Sequence, residues 1–391
     1  MNAWREFYVI FRLNLATFPT RIKGALGIVL GIACVVCVLL SLLSLWEGIQ
    51  LAYLGMGDPN YAIVLSSDAV NEYRSSISRE WVPLIAGAPG IRHAGDGTPL
   101  VDAEVYSPVS LLKKADGDLD MGYTNMRGVG PHALAMLPKM RLTAGRTLRA
   151  GTDEMMVGAT AQRKFPGLLR PGNQIMLLGH QWSIVGVFAT GNFNDGNLVV
   201  DADRLQSVLR KPQFSSVVVR LDSPRSIERL KAGVQRTDRL PVTVQSLSDY
   251  SRQLLATIPT HLLIVDYCFS ALIALGVWSG MIHVMDAAIS ARARETAVLR
   301  AIGFGGRPVT AAIVAEAMIL AGIGAIVGTA VDWLWLDGYA YDGAWGVFRA
   351  AVTPRVFLIG LGWALAIALM GALMPSIRAA RASIIEALAA W

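Results

Sequence analysis

Apolar residues along this chain are bunched into four nearly uncharged stretches, each close to the 20 residues a helix needs to cross about 30 Å of hydrocarbon. Gly24–Trp46 carries no charge at all. His261–Met285 is apolar apart from His261, Asp266 and His283, and Val309–Trp333 is interrupted only by Glu316 and Asp332. Val356–Met374 is uncharged and is followed by Pro375, which cannot continue a helical hydrogen-bond ladder and so suits a helix end. The pattern predicts transmembrane helices over 24–46, 261–286, 309–333 and 356–375, with both termini on one side.

Two other segments show their own periods. Trp4, Phe7, Tyr8, Phe11, Leu15 and Phe18 recur at helical spacing while Arg5 and Arg12 share another face. Residues 1–23 therefore read as an amphipathic helix on the inner leaflet or, alternatively, one packed on a protein surface; Phe18-Pro19 ends it. Residues 47–260 instead contain short runs rich in β-branched and aromatic residues: Tyr61–Ser66, Glu154–Val157, Gln174–Leu178, Trp182–Phe188, Leu198–Val200, Ser216–Leu221 and Val242–Val244. Helical patterns over Arg79–Ala86, Thr160–Phe165, Asp201–Leu209 and Pro224–Gln235 intervene, the last with Ser223 as candidate N-cap. The predicted fold class is thus an α-helical membrane protein with four transmembrane helices and an α+β extracytoplasmic domain inserted between helices 1 and 2. Leu247–Pro259 is expected to run on from the second span, so that the two flanking helices rise as a stalk.

Composition agrees with a membrane location: 53% of the 391 residues are hydrophobic, 16% are charged, and the mean hydropathy is +0.46. The net charge of +6 suggests nucleic acid until its distribution is read. Arg5, Arg12, Arg21 and Lys23 face Glu6 alone before the first span; Arg292, Arg294, Arg300 and Arg307 face Glu295 in the 287–308 loop; Arg378 and Arg381 face Glu386 in the 376–391 tail. Positive loops mark the cytoplasmic side, which places 47–260 and the nearly balanced 334–355 connection outside, and no nucleic-acid partner is expected. A cleaved signal peptide is disfavoured by the 23 residues before the first span and by the span's length. Cys34, Cys37 and Cys268 all fall in predicted spans, so Cys34-x-x-Cys37 reads as two small apolar residues and no disulfide is expected outside.

Catalytic signatures are missing from the sequence. There is no Gly-x-x-x-x-Gly-Lys-[Ser/Thr] phosphate loop and no Gly-x-Ser-x-Gly elbow, and His93, His132, His180, His261 and His283 lack metal-ligand spacing. Neither a catalytic residue nor a metal site is expected. The cytoplasmic loop is more informative: Val298, Leu299 and Ile302 outline a short helix stopping at Gly303, flanked by Arg292, Arg294 and Arg300. Composition alone is equally consistent with an ordinary topology-setting loop.

The string Arg294-Glu-Thr-Ala-Val-Leu-Arg-Ala-Ile-Gly303, followed by Ile313-Val-Ala-Glu-Ala317, resembles the Arg-Glu-Ile-x-x-Leu-Arg-Ala-x-Gly signature of FtsX/MacB-type ABC transporter permeases. Met374–Leu388 resembles the ending of the same family, with serine or isoleucine where its second proline usually stands. Met126-Arg-Gly-Val, Ala144-Gly-Arg, Pro171-Gly-Asn-Gln-Ile and Trp182-Ser-Ile-Val-Gly-Val-Phe resemble the MacB periplasmic core domain. The resemblance implies that Arg292, Arg294, Glu295, Leu299, Arg300 and Gly303 form a coupling element docking on a separate ATP-binding subunit. It implies a mechanotransmitting permease in a bacterial inner membrane, with no cofactor of its own and with ATP and Mg held by that partner. Further implied partners are a second permease copy or paralogue, membrane lipids, and a periplasmic adaptor protein. The expected cargo is a lipid, lipoprotein, peptide or hydrophobic small molecule. Rival readings are an FtsX-like regulator of a periplasmic partner and a membrane-anchored binding receptor.

Polar residues in hydrocarbon need partners, because a charge there costs at least about 2.5 kcal/mol. Asp266, His283 and Glu316 read as interhelical pairing groups, with a substrate contact as the alternative at Asp266. Gly322, Gly324 and Gly328 read as a helix-packing motif.

Overall fold

A computed structural model of the chain describes residues 3–16, 22–115, 118–136, 140–236, 240–257, 304–343 and 346–381, with isolated positions between 268 and 280. It divides into two compact units, one of Met1–Glu47, Thr260–Asp337 and Ala351–Trp391, the other of Gly48–Pro259 and Gly338–Ala350. The first helix, α1, covers Ala3–Ala16. The second, α2, runs unbroken over 35 residues, Ile22–Met56, or about 52 Å at 1.5 Å per residue. It does not stop at Trp46, where the apolar run ends. Glu47 and Gln50 are polar yet compatible with a helix, and the break comes only at Gly57-Asp58-Pro59, where Asp58 accepts the Asn60 backbone N–H at 2.9 Å.

The α+β unit is organised by one mixed sheet. Its strands are β1 (Tyr61–Ser66), β2 (Val101–Ala115), β3 (Asp118–Val129), β4 (Arg141–Gly145), β5 (Glu154–Gly158), β6 (Gln174–Leu177), β7 (His180–Ala189), β8 (Asn197–Asp201), β9 (Ser216–Arg220) and β10 (Val242–Ser246). They lie in the order β10-β1-β9-β2-β3-β8-β5-β7-β4, with β6 on β7. All seven strand-like runs of the sequence appear here, and β2, β3 and β4 are additions to them. The long β2 serves two partners: Val101–Glu104 pairs antiparallel with β9, and Val105–Ala115 pairs antiparallel with β3. It is therefore the seam between a β10-β1-β9 half and a β3-β8-β5-β7-β4 half.

Helices cover this sheet as α3 (Trp81–Ala86), α4 (Ala133–Met136), α5 (Ala159–Lys164), α6 (Ala202–Leu209), α7 (Ile227–Arg236) and α8 (Leu247–Ala256). Asp201 caps α6 by accepting the Arg204 N–H, and Ser246 caps α8 by accepting the Asp249 N–H. Ser223 holds the expected cap position ahead of Pro224, but its hydroxyl pairs with Ser226 at 3.1 Å and caps no backbone N–H. Trp182, Phe165, Ile77, Ile85 and Val217 are fully buried in the principal core. The 334–355 connection is more than a link: it holds a hairpin, β11 (Ala340–Gly343) and β12 (Gly346–Arg349). Its Phe348 packs in tilted contact with Tyr53, Phe193 and Tyr341 at centroid distances of 5.9–6.0 Å, so burial of aromatic area holds this hairpin on the α+β unit.

In the helical unit, α9 spans Gly306–Trp335 and α10 spans Pro354–Arg381. Ile28, Ile32, Val36 and Leu40, four residues apart on α2, are buried with Ala312, Ala321 and Ala325 of α9 and Ala364, Ile367 and Ala368 of α10. Leu26 and Leu30 on the other face of α2 are more than half exposed, as lipid-facing residues are. Helix α1 buries Ile10 against this core and leaves Trp4 and Tyr8 exposed. Among the described residues three helices are long and apolar enough to span a membrane, within Ala25–Met56, Gly306–Trp335 and Pro354–Leu373. The expected second span, 261–286, lies outside the described residues except at isolated positions. Pro375 does not end α10, which continues to Arg381; one lost backbone bond is tolerated because neighbouring turns hold the helix.

Candidate functional site

Three places bring functional side chains together, and the first is the contact of α2 with α9. A Cβ at Gly328 would lie 2.5 Å from the Ala33 carbonyl oxygen, and one at Gly324 would lie 2.9 Å from Ile32 Cβ. The backbones can approach this closely only because neither residue has a side chain. Gly322, by contrast, has nothing within 4 Å of its Cβ direction and takes no part in the contact. Near the C-terminal end of α9, buried Asp332 accepts hydrogen bonds from Ser41 Oγ at 2.9 Å and Cys37 Sγ at 3.3 Å. Cys37 is therefore a donor between helices, not merely a small apolar residue. Glu316 is buried on α9. Asp266 and His283 lie outside the described residues.

The second place is the loop before α9. Arg292, Arg294, Glu295, Leu299, Arg300 and Gly303 all lie outside the described residues. The chain is described again from Phe304, and the Gly305 N–H at the start of α9 donates to Glu6 Oε2 on α1 at 3.1 Å. Helix α1 is thus fastened where the loop returns to the membrane.

The third place is the seam at β2, where a cluster of buried charges went unseen in the sequence. Arg127 of β3 forks onto Glu72, Nη1 donating to Oε1 at 3.0 Å and Nη2 to Oε2 at 2.9 Å. Its Nη1 also donates to Glu104 of β2, and its guanidinium lies 5.5 Å from the Tyr106 ring centre. Ser216 of β9 donates to Glu72 Oε1 at 2.9 Å, and the Tyr250 hydroxyl accepts the Glu72 backbone N–H at 3.1 Å. Arg127, Glu72 and Glu104 side chains are each about one-tenth exposed or less. Burial pushes the Glu104 carboxyl above its ordinary range despite the pull of Arg127. Two residues along, Asp102 receives one hydrogen bond, from the Gly130 N–H at 3.2 Å; burial and then the Glu104 charge push it up to about 8.

Two cavities adjoin this cluster. One of about 370 Å³ is walled by Glu72, Tyr106, Tyr53, Phe193 and Tyr250. The other, about 300 Å³, is walled by Asp102, Glu104, Tyr61, Met136 and the turn after α2. No group of residues with metal-ligand geometry occurs among the described residues.

A sheet-based domain inserted behind an apolar helix, with further apolar helices following it, defines a class of membrane protein with a large folded domain between its apolar helices. The MacB-like periplasmic core domain model matches residues 25–237, and the FtsX-like permease C-terminal model matches residues 267–384. The chain belongs to the FtsX/MacB-type ABC transporter permeases. It is similar to the uncharacterized ABC transporter permease YvrN of Bacillus subtilis, at 22% identity over 98% of both chains. It is also similar to the macrolide export ATP-binding/permease protein MacB of Nitrobacter winogradskyi, at 24% identity over 96% of this chain and 59% of that protein. Solved structures with similarity are the extracellular domain of YknZ from Gram-positive bacteria (14% identity, TM-score 0.37, 48% of this chain and all of that one) and the periplasmic region of MacB from Actinobacillus actinomycetemcomitans (14% identity, TM-score 0.37, 52% and 96%).

Proposed function

We propose that this chain is the membrane subunit of an ABC system in a bacterial inner membrane, converting ATP hydrolysis by a separate cytoplasmic subunit into movement of its α+β domain outside. The observation that carries the reading is the order of the two family matches: a MacB-like core domain is followed by an FtsX-like permease end, in a chain whose sequence has no phosphate loop. ATP and Mg belong to the partner subunit, which docks on the loop containing Arg292, Arg294, Glu295, Leu299, Arg300 and Gly303. A short helix seated in a groove of a moving partner passes on a rigid-body displacement, and α2 is a continuous helix through which axial force is carried. The permease acts as a dimer with a second copy or a paralogue, on a lipid, lipoprotein, peptide or hydrophobic small molecule at the outer face.

The test is co-purification from membranes. Wild-type protein is expected to bring down an ATP-binding subunit whose ATPase rate rises on reconstitution into proteoliposomes, and the double change Arg294→Glu with Glu295→Arg is expected to abolish both. Full association of the double variant refutes the docking assignment. Stimulation only by an added periplasmic protein, with no response to lipids or hydrophobic compounds, replaces transport with regulation.

A further inference from the structure

The cavity of about 300 Å³ beside Asp102 is unusual in its charge. Its described lining contains three carboxylates, Asp58, Asp102 and Glu104, and no Lys, Arg or His. Buried Arg127 already donates to Glu104 and forks onto Glu72, and Arg220 lies over the Tyr61 ring. Asp58 is occupied with its own turn, accepting from the Asn60 side chain at 3.0 Å. Asp102 is the exception: it is 2% exposed, its Oδ2 accepts one long bond from Gly130, and its Oδ1 has no partner at all. A buried carboxylate oxygen left in this state costs free energy that a hydrogen-bonded or positively charged ligand would recover.

The rest of the wall is matched to an organic body. Met56, Met136, Val218 and Leu247 supply apolar surface, and methionine adapts to varied shapes. The turn that ends α2, Gly55–Gly57, also lines the cavity, so the negative end of a 35-residue helix adds to the field of the three acids. Tyr61, whose hydroxyl is also unpartnered and buried, offers a polar tip, while its ring already carries the Arg220 guanidinium 5.8 Å from its centre. The volume is at the lower end of the range for small-molecule sites, about 300 Å³.

We infer that this cavity is a binding site for a small organic cation, an amine or quaternary ammonium bearing a compact apolar body, with Asp102 as the counter-ion and Glu104 and the α2 terminus as its supporting field. The inference is independent of the coupling reading, because it concerns a binding equilibrium of the α+β unit that needs no ATPase. All the lining residues belong to that unit.

The experiment uses full-length protein in lipid nanodiscs at about pH 9, where Asp102 is ionised, and radiolabelled benzyltrimethylammonium, with empty nanodiscs subtracting lipid partition. The expected result is saturable binding that neopentylbenzene, the uncharged isostere, and benzenesulfonate fail to displace at matched concentration. Asp102→Asn, which copies the shape of the protonated acid and preserves the acceptor for Gly130, is expected to weaken binding at least tenfold. Asn194→Asp, on the same wall, adds a fourth acid and is expected to tighten binding severalfold, which a misfolded domain cannot do. Absence of saturable binding, equal displacement by neopentylbenzene, or unchanged affinity in both variants overturns the inference.

Discussion

Replacing Arg127 with methionine tests the seam directly. Methionine retains much of the arginine's apolar stem but removes the guanidinium, so Glu72 and Glu104, each about one-tenth exposed, are left together without a cation. Breaking a buried pair by deleting one partner costs about 3–5 kcal/mol, because the remaining charge stays desolvated. Here two carboxylates are orphaned, so the upper part of that range applies, against a total of about 5–15 kcal/mol for an ordinary domain. The loss is expected to fall first on β2 and β3, whose register from Val105↔Gly128 onward this cluster anchors.

The readout is hydrogen exchange by mass spectrometry of full-length protein in nanodiscs. Amides of β2 and β3 in Arg127→Met should exchange on the order of 1,000-fold faster, as a loss of about 4–5 kcal/mol in opening free energy requires at tenfold per 1.4 kcal/mol. Adding Glu72→Gln and Glu104→Gln removes the orphaned charges and should restore most of the protection. Protection within a few-fold of wild type in the single variant, or no recovery in the triple variant, would refute the claim that this triad holds the two halves together.

Two further expectations follow from the same geometry. Asp102 titrates near 8 when folded and near 3.8 when unfolded, so between these values the folded state holds a proton that the unfolded chain has released. Stability from this group is complete below the unfolded value and is lost as pH rises toward 8. Asp102→Asn should therefore gain on wild type by up to about 3 kcal/mol between pH 5 and pH 7, read from thermal unfolding; a pH-independent difference would contradict the burial argument. In the membrane unit, Gly328→Ala drives a methyl group into the Ala33 carbonyl and should cost about 1–3 kcal/mol by separating α2 from α9. Gly322→Ala, into open space, should be neutral or slightly stabilising through helix propensity, and equal losses at both positions would contradict the packing assignment.

Hydrophobic patterning was sufficient where burial follows a simple rule. Gly24–Trp46 is apolar throughout, and β1, β5 and β8 are short runs buried on nearly every residue. Such segments announce themselves because nothing in them competes with the apolar signal. The end of α2 was not legible from hydropathy, which reports where lipid stops being a good solvent rather than where a helix stops. Only the breaker at Gly57-Asp58-Pro59 carries that information. The link of Asp332 to Cys37 and Ser41 joins residues nearly 300 positions apart, and no local pattern encodes it.

The failure at β2 and β3 has a single physical origin. Asp102, Glu104 and Arg127 sit at positions that a half-buried strand ordinarily fills with apolar side chains, and all three are buried. A charge is tolerated there only when its partner comes from another strand or loop, as Glu72 does for Arg127, and that pairing is visible only after folding. Asp116-Gly117, two residues between the strands, was the one local cue to the hairpin. The same charges that hid the strands therefore built the seam and left Asp102 without a full set of partners beside a cavity. In this chain the break in alternation is itself the pointer: a strand that departs from the period where β2 crosses between half-sheets does so because its side chains are committed to one another, or to something that enters from outside.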